Sequence, residues 1–397
     1  MEQAPAVICD NGSGFLKIGF EGDIFPRHTL PGIIGRPLLR ASQKLGDVEL
    51  KPIMISDEAA PHRSMLELSY PLVEGKVKDW DDMEILWDYA FRNKLGLGKD
   101  LSDRKIMLTE AALNPKKVRE RFGEIMFEKF GFGKMFVEVQ AILSLICEGL
   151  HSGMVLDSGD GVTHCIPVYN FYLLDKQIAR LDVAGRHVTQ YLIRLLMLRG
   201  YAFNSSADYE TVREIKEKLC FVSYDQERDD KLARETTVIE KDYKLPDGSV
   251  IRVGRERFEA PEVLFSPHKL ENEQSGCADL VFETINKCPM DTRKTLYGNI
   301  LLTGKQSLFV MDVIGGSTMY PGYPSRLEKD IKLRFKREKA KGGDITKSNV
   351  KIDVIDPYRR KHAVFIGASF YAGMNELNWV SKSDWQEKGP SCLHRQE

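Results

Sequence analysis

Ala6-Val-Ile-Cys-Asp10-Asn-Gly12-Ser-Gly14-Phe15 and Gly153-Met-Val-Leu-Asp157-Ser-Gly159-Asp-Gly161-Val162 are two versions of one pattern: an apolar run, Asp-x-Gly-x-Gly, then a second apolar run. A β-prone run broken by a glycine-rich tight turn predicts a hairpin. The aspartates stand 147 positions apart (157 − 10), a domain-sized interval that points to two similar halves rather than a short solenoid repeat. Such a turn does two things at once. Its glycines let backbone N–H groups approach phosphate oxygens, and its carboxylate faces the divalent ion that those phosphates hold. One copy is more often an ordinary hairpin; two copies at domain spacing predict a polyphosphate gripped from both sides.

The seventh position after each aspartate carries Lys17 in the first copy and His164 in the second. Lysine supplies a point charge for phosphate, and histidine positions a water or donates a hydrogen bond. Taken singly, a surface lysine and a core histidine are the commoner finds, and it is the equivalent placement that raises both. Between and beyond the two copies lie helical patterns. Met83, Leu86, Trp87, Ala90 and Phe91 recur at helical spacing within Trp80–Leu95, with Asp79, Asp81 and Asp82 at the end where carboxylates oppose the helix dipole. Val139, Ile142, Leu143 and Ile146 repeat the pattern, as do Tyr191, Leu192 and Leu195. Thr236–Leu245 and Ser249–Val253 are expected to pair as strands across Pro246-Asp247-Gly248. Strands mixed with helices in this way make an α/β protein.

With 397 residues there is material for two or three domains, and 57 basic against 58 acidic residues leave a net charge of −1. That balance supplies no long-range field for nucleic acid or anionic lipid. The basic run Lys329–Lys341 is accordingly expected to be a solvated helix face. Seven scattered cysteines without C-x-x-C spacing read as reduced, mostly buried thiols. No apolar run approaches the eighteen residues of a membrane span, so the expectation is a soluble, cytoplasmic protein with no direct nucleic-acid partner.

Asp10-Asn-Gly-Ser-Gly14 with Lys17, and Asp157-Ser-Gly-Asp-Gly-Val-Thr-His164, resemble the two phosphate loops of actin and its relatives. Gly35-Arg36-Pro37, Trp80-Asp-Asp-Met83, Leu113-Asn-Pro115, Gln140-Ala141, Ala184-Gly-Arg186, Glu256-Arg-Phe258, Met319-Tyr-Pro-Gly322 and Arg360-Lys361 follow in that family's order over nearly the whole chain. The resemblance implies an actin-like ATPase fold of two duplicated ribonuclease-H-like domains with a nucleotide cleft between them. The first would cover 1–147 plus about 365–397, with an outer loop at about 36–75; the second would cover 148–364, with a peripheral insertion at about 187–275. It also implies ATP with Mg2+, which Ca2+ can replace in vitro. The family's phosphate contacts fall on Asp10, Asn11, Gly12, Ser13, Gly14 and Lys17, and on Asp157, Ser158, Gly159, Asp160 and Gly161. Its metal residues fall on Asp10, Asp157 and Gln140, acting largely through water, and its catalytic water-positioning pair on Gln140 and His164. The adenosine side falls on Gly185, Arg213, Lys216, Glu217, Gly316, Met319, Tyr320 and Lys361. Hydrolysis resting on such a pair is expected to be slow.

Within the superfamily, Tyr201-Ala-Phe-Asn-Ser-Ser-Ala-Asp-Tyr-Glu-Thr-Val212, Phe258-Glu-Ala-Pro261 and Pro324-Ser-Arg-Leu-Glu-Lys329 look more like the actin-related protein two family than conventional actin. Gly389-Pro-Ser391 and His394-Arg395 resemble conventional actin instead. The first likeness implies a subunit of the hetero-complex that nucleates branched actin filaments. Its partners would be a sister actin-related protein, the other subunits, actin and nucleation-promoting factors, at the cell cortex or in projections. The alternatives are a divergent actin that self-polymerises and, from another class, a small-molecule kinase, which would need a catalytic aspartate facing a sugar hydroxyl.

Three departures stand out. Lys305–Gly315 interrupts the run from Asn299-Ile-Leu-Leu-Thr-Gly304 into Gly316-Ser-Thr-Met-Tyr-Pro-Gly, and its removal restores the family's Gly-Gly junction. The expectation is a retained in-frame intron, which a major transcript carrying these codons would refute; the other reading is a projecting loop. Asn170-Phe171 replaces the family's Glu-Gly and is expected to alter a turn. His187 stands where aspartate is common.

Overall fold

The apolar run before each aspartate becomes a central strand. In the computed structural model, which describes residues 4–37, 51–73, 75–203, 206–245, 248–304, 317–339, 350–374 and 377–393, the chain forms two compact units: Met1–Leu150 with His362–Glu397, and His151–Lys361. Residues 38–50 and 74 of the outer loop, the inserted Lys305–Gly315, Gly316, Pro246-Asp247 and His394-Arg395 lie outside the described residues.

The first unit is organised by β1 (Val7–Asn11), β2 (Phe15–Phe20), β3 (His28–Pro31), β4 (Lys105–Glu110) and β5 (Lys134–Val139). They lie side by side as β3-β2-β1-β4-β5, with the two-residue strand Val380–Ser381 at the far edge. β1 pairs antiparallel with β2 and parallel with β4, and β4 pairs parallel with β5. Every residue of β1 and β2 is buried, as expected of strands covered on both faces. Helix α1 (Trp80–Asp88) buries Met83, Leu86 and Trp87 on one face. Asp79 caps it, accepting a hydrogen bond from the Asp82 N–H at 3.0 Å, a contact that typically stabilises by about 1 kcal/mol. The helix does not run unbroken to Leu95: Tyr89–Lys94 forms a wider π turn, in which the Leu95 N–H reaches the Ala90 carbonyl. Apolar spacing is blind to this extra residue per turn. Helix α2 (Gln140–Cys147) packs against the helix Ala363–Ala372, and Gly367 lies so close to it that an added Cβ would stand 1.9 Å from the Leu143 carbonyl oxygen.

The second unit repeats the order with β6 (Gly153–Ser158), β7 (Thr163–Tyr169), β8 (Tyr172–Leu173), β9 (Ile300–Thr303) and β10 (Val354–Ile355), arranged β8-β7-β6-β9-β10. β6 is antiparallel to β7 and parallel to β9, and β9 is parallel to β10. Both units therefore carry the same five-strand topology, which is the duplication read from the hairpins. Helices α3 (Gly185–Leu198) and α4 (Ser206–Leu219) follow in the chain. As far as Glu338 the basic run lies on the helix Tyr323–Glu338, which buries Leu327, Ile331 and Phe335. Part of its charge is matched locally: Arg334 pairs with Asp279 and Glu338, and Lys332 pairs with Glu328.

One further expectation needs correction. The strand predicted over Thr236–Leu245 covers only Lys241–Lys244, paired with Val250–Val253. Thr236 is held instead by the end of the helix Gln226–Glu235, its N–H and hydroxyl both donating to the Leu232 carbonyl. Asn170-Phe171 forms the turn between β7 and β8. Tyr169 and Tyr172 still pair, with φ of 50° at Asn170 and 63° at Phe171, left-handed values that a bulky residue rarely adopts. All seven cysteines are free thiols; Cys9, Cys165, Cys220, Cys277 and Cys288 are buried. No helix among the described residues is long and apolar enough to cross a membrane.

Candidate functional site

In the first unit the seven-residue spacing acquires a geometric meaning. The antiparallel register places Asp10 opposite Lys17 and Asn11 opposite Leu16, so residues seven apart face each other across the hairpin. The Lys17 Nζ lies 3.7 Å from Asp10 Oδ2, with the two side chains 2% and 0% exposed. The Asp10 Oδ1 accepts a hydrogen bond from the Thr109 hydroxyl at 2.7 Å. Gln140, the first residue of α2, donates its amide nitrogen to the Asn11 carbonyl at 3.0 Å and to Thr109 Oγ1 at 3.1 Å, with Asp10 Oδ1 at 3.4 Å. Asp10 and Gln140, the first-unit positions to which the resemblance assigns the metal, are thus adjacent and buried.

Asn11 is used differently from its neighbours. Its Oδ1 accepts from the Trp87 indole N–H at 3.0 Å, and its Nδ2 donates to the Thr109 carbonyl at 3.3 Å. That side chain ties the hairpin to the helix behind it. Ser13 Oγ accepts from the Gly75 N–H at 2.9 Å. Gly14 stands in the open: its φ is outside the left-handed region, and a Cβ built on it meets nothing within 4 Å. Neither backbone strain nor a packed neighbour requires glycine there. What the residue leaves is room beside a half-buried backbone whose carbonyl accepts from the Gly32 N–H at 3.0 Å, the kind of space a phosphate oxygen can approach.

The second unit builds the same arrangement with different side chains. Asp157 faces His164 across β6 and β7, and Ser158 faces Thr163. His164 is buried. Thr303 on β9 donates its hydroxyl to Asp157 Oδ1 at 3.0 Å, as Thr109 does to Asp10. The Thr163 hydroxyl donates to the Val183 carbonyl at 2.8 Å, so the 2.6 Å contact between it and Ser158 Oγ is donated by Ser158. The Gly159 N–H closes the loop onto the Val162 carbonyl at 3.1 Å. A Cβ on Gly159 would approach nothing closer than that oxygen, at 3.9 Å.

The loop is also clipped to the start of α3. The Gly185 N–H donates to the Gly159 carbonyl and the Arg186 N–H to the Asp160 carbonyl, at 3.1 and 2.8 Å. The Arg186 guanidinium pairs with Asp160 Oδ2 at 3.1 Å. His187 accepts at Nδ1 from the Ala184 N–H at 3.2 Å, at the start of α3. Lys216 reaches the Gly185 carbonyl at 2.9 Å, and Ser317 donates to the Gly159 carbonyl at 2.8 Å. Gly161 completes the loop between Asp160 and Val162 and is half-buried, as Gly159 and Asp160 are.

Arg213, Lys216 and Glu217 share one stretch of α4. Burial pushes the Lys216 pKa down and the Glu217 pKa up. Burial also works against the Arg213 charge, but Glu210 and Glu217 outweigh it and raise its pKa. Arg213 Nε lies 3.4 Å from Glu217 Oε1. A cation and an anion held at such partial burial form a polar rim that can meet hydroxyl groups. Tyr320 is buried, which drives its pKa well above the ordinary phenol range, and Met319 beside it is half-buried. Lys361 is also half-buried, and desolvation lowers its pKa. Its neighbour Arg360 donates to the Thr318 carbonyl at 3.2 Å, and Thr318 donates to the Thr303 carbonyl at 3.1 Å. A continuous set of polar contacts thus joins Asp157, Thr303, Thr318 and Arg360.

Gln140 belongs to the first unit and His164 to the second, so each is positioned by its own hairpin. Thr109, Thr303 and Arg186 are contributors that motif reading passed over. A sequence signal for the threonines exists: in Ile106-Met-Leu-Thr109 and Ile300-Leu-Leu-Thr303 a matching apolar run is followed by threonine.

Two copies of an aspartate hairpin, each on the same five-strand sheet, define the class of the actins and their relatives. The chain belongs to the actin family, whose sequence profile, described as Actin, matches residues 1–397. Within the family it is similar to proteins named Actin-related protein 2. It is 50% identical to that of Schizosaccharomyces pombe, covering 100% of this chain and 98% of the relative. The Acanthamoeba castellanii protein of that name is 47% identical over 99% of both chains. That of Saccharomyces cerevisiae is 49% identical over 99% of this chain and 98% of its own.

Proposed function

We propose that the chain is an ATP-binding, actin-related subunit of the hetero-complex that nucleates branched actin filaments. The observation that carries this reading is the identity of roughly one residue in two, end to end, with three proteins named Actin-related protein 2. The duplicated hairpins support its nucleotide part. In this reading Asp10–Gly14 and Asp157–Gly161 present backbone N–H groups to the phosphates of one ATP, and Lys17 neutralises phosphate charge. Asp10, Asp157 and Gln140 hold Mg2+ largely through water, with Ca2+ able to replace it in vitro. The ion, when bound, supplies further neutralisation of the β- and γ-phosphates.

Gln140 and His164 orient the attacking water, and with no strong base at hand hydrolysis is slow. Gly185, Arg213, Lys216, Glu217, Met319, Tyr320 and Lys361, with Gly316 beside the insertion, receive the adenosine side. Bound at a hundredfold excess over its dissociation constant, ATP stabilises the folded protein by about 2.7 kcal/mol. Nucleotide state thereby becomes a signal to a sister actin-related protein, the other subunits, actin and nucleation-promoting factors in the cytoplasmic cytoskeleton. The test is reconstitution with those subunits and fluorescent actin. Branched nucleation that depends on this chain is expected, and the chain alone should form no filaments. Long polymers pelleting from the purified chain in magnesium and salt would favour a self-polymerising actin instead.

A further inference from the structure

The two units share a feature that no glycine motif encodes. In each, a threonine at or next to the end of the strand parallel to the hairpin strand meets the hairpin aspartate: Thr109, the last but one residue of β4, bonds Asp10, and Thr303, the last of β9, bonds Asp157. Both hydroxyls donate to the same atom, Oδ1, at 2.7 and 3.0 Å. For Thr109 this direction is forced. Its Oγ1 accepts from the Asn11 N–H at 3.1 Å and from Gln140 Nε2 at 3.1 Å, so its one hydrogen is left for the carboxylate. Thr109 and Thr303 are buried at 0% and 2% exposure.

We infer that Thr109 and Thr303 are a matched pair of positioning residues for the divalent cation that accompanies the nucleotide, an inference that rests on the nucleotide-binding reading above. Each hydroxyl takes Oδ1 and thereby fixes the plane of the carboxylate and the direction of Oδ2 toward the ion's water, an oxygen that in Asp10 also faces Lys17 Nζ at 3.7 Å. Groups that orient a metal-binding carboxylate typically matter tenfold or more for metal affinity. Thr109 sets the Gln140 amide in the same act, so the first unit ties two of the three proposed metal residues to one hydroxyl. Thr303 carries its load alone, and its carbonyl, bonded to Thr318, keeps the strand end in place.

The test is the affinity of the full chain for a fluorescent ATP analogue, measured with saturating Mg2+ and with a chelator, for the wild type, Thr303→Val, Thr303→Ser, Thr109→Val and Thr109→Ser. Valine keeps the β-branched shape and removes the hydroxyl; serine keeps the hydroxyl. Thr303→Val is the cleaner variant, because Thr109→Val also strips Asn11 and Gln140 of an acceptor. Each valine variant is expected to lose about tenfold in affinity with Mg2+ and to change less than about twofold with chelator, and each serine variant to recover the Mg2+-dependent part. Equal losses in both conditions would make the threonines general structural supports and overturn the inference alone, as would no loss in either. A wild-type chain that binds no nucleotide in either condition would overturn the reading and the inference with it.

Discussion

Replacing Gly14 with alanine separates a glycine kept for the chain from one kept for a ligand. An added Cβ there meets no atom within 4 Å, and the backbone is not left-handed, so the folded protein has room for it. Such a substitution stabilises by about 0.4–1 kcal/mol, because alanine narrows the unfolded ensemble. Binding is expected to move the other way. If a phosphate oxygen comes up against this stretch of backbone, the methyl group displaces it and costs at least one hydrogen bond to a charged group, about 1.5–3 kcal/mol, or roughly tenfold to a hundredfold in affinity. Thermal unfolding without nucleotide and titration with a fluorescent ATP analogue report the two effects independently. An unchanged or slightly raised midpoint with affinity down at least tenfold is the expected result. Affinity within twofold of wild type would show that no phosphate lies against Gly14, and a lowered midpoint would show that the glycine serves the fold.

Gly304→Ala behaves differently, because its Cβ would stand 2.7 Å from the Ser158 carbonyl oxygen and 2.8 Å from Thr318 Oγ1. Against an ordinary contact of 3.4 Å the backbone must yield 0.7 Å (3.4 − 2.7), so urea unfolding should show a loss of about 1–3 kcal/mol together with weakened nucleotide binding. Gly367→Ala sets a Cβ 1.9 Å from the Leu143 carbonyl oxygen and should cost about 3 kcal/mol by forcing two helices apart, and an unchanged urea midpoint would contradict that packing. Arg36 grips Asp82 through Nη2–Oδ1 at 2.5 Å and Nη1–Oδ2 at 3.1 Å, and its hydrogen bonds hold the Asp82 carboxyl below the usual carboxylate range. A lowered folded pKa means that protons favour the unfolded chain, so this stability is full above pH ~4 and is lost as the pH falls through the folded value. Arg36→Met should therefore cost about 1.5 kcal/mol near neutrality, the low end for a charged hydrogen bond whose cation is half-exposed, and the gap from wild type should vanish in acid; a gap independent of pH would exclude the ion pair as its source.

The fold was legible wherever a local rule dictates it. The Asp-x-Gly-x-Gly turns had to be hairpins, and Trp87 had to lie on the buried face of its helix; both do. Strand partners far apart in the chain carry no local signal: the run Asn299–Gly304 reads as a strand, but the pairings by which β4 and β9 bring Thr109 and Thr303 to the aspartates are not legible in it. The spacing of Lys17 and His164 was noticed, but its cause, the facing positions of an antiparallel register, is a property of the paired strands. Thr236 was misread as strand because β-branched propensity was weighed without the helix end that claims its hydrogen bonds. The π turn after Asp88 leaves the apolar positions almost unmoved, so periodicity could not report it. Asn11, carried over as a ligand contact, is bonded inward to Trp87, a role that only the packed unit reveals.

The account depends most on one nucleotide engaging the hairpins of both units. Amide hydrogen exchange of the full chain, with and without ATP and Mg2+, reads this directly at the loops Gly12–Phe15 and Gly159–Val162. Slowed exchange in both loops, appearing together at one nucleotide per chain and reversed by chelator, is the predicted result. Protection confined to a single loop, or absent from both while nucleotide is bound, would contradict it.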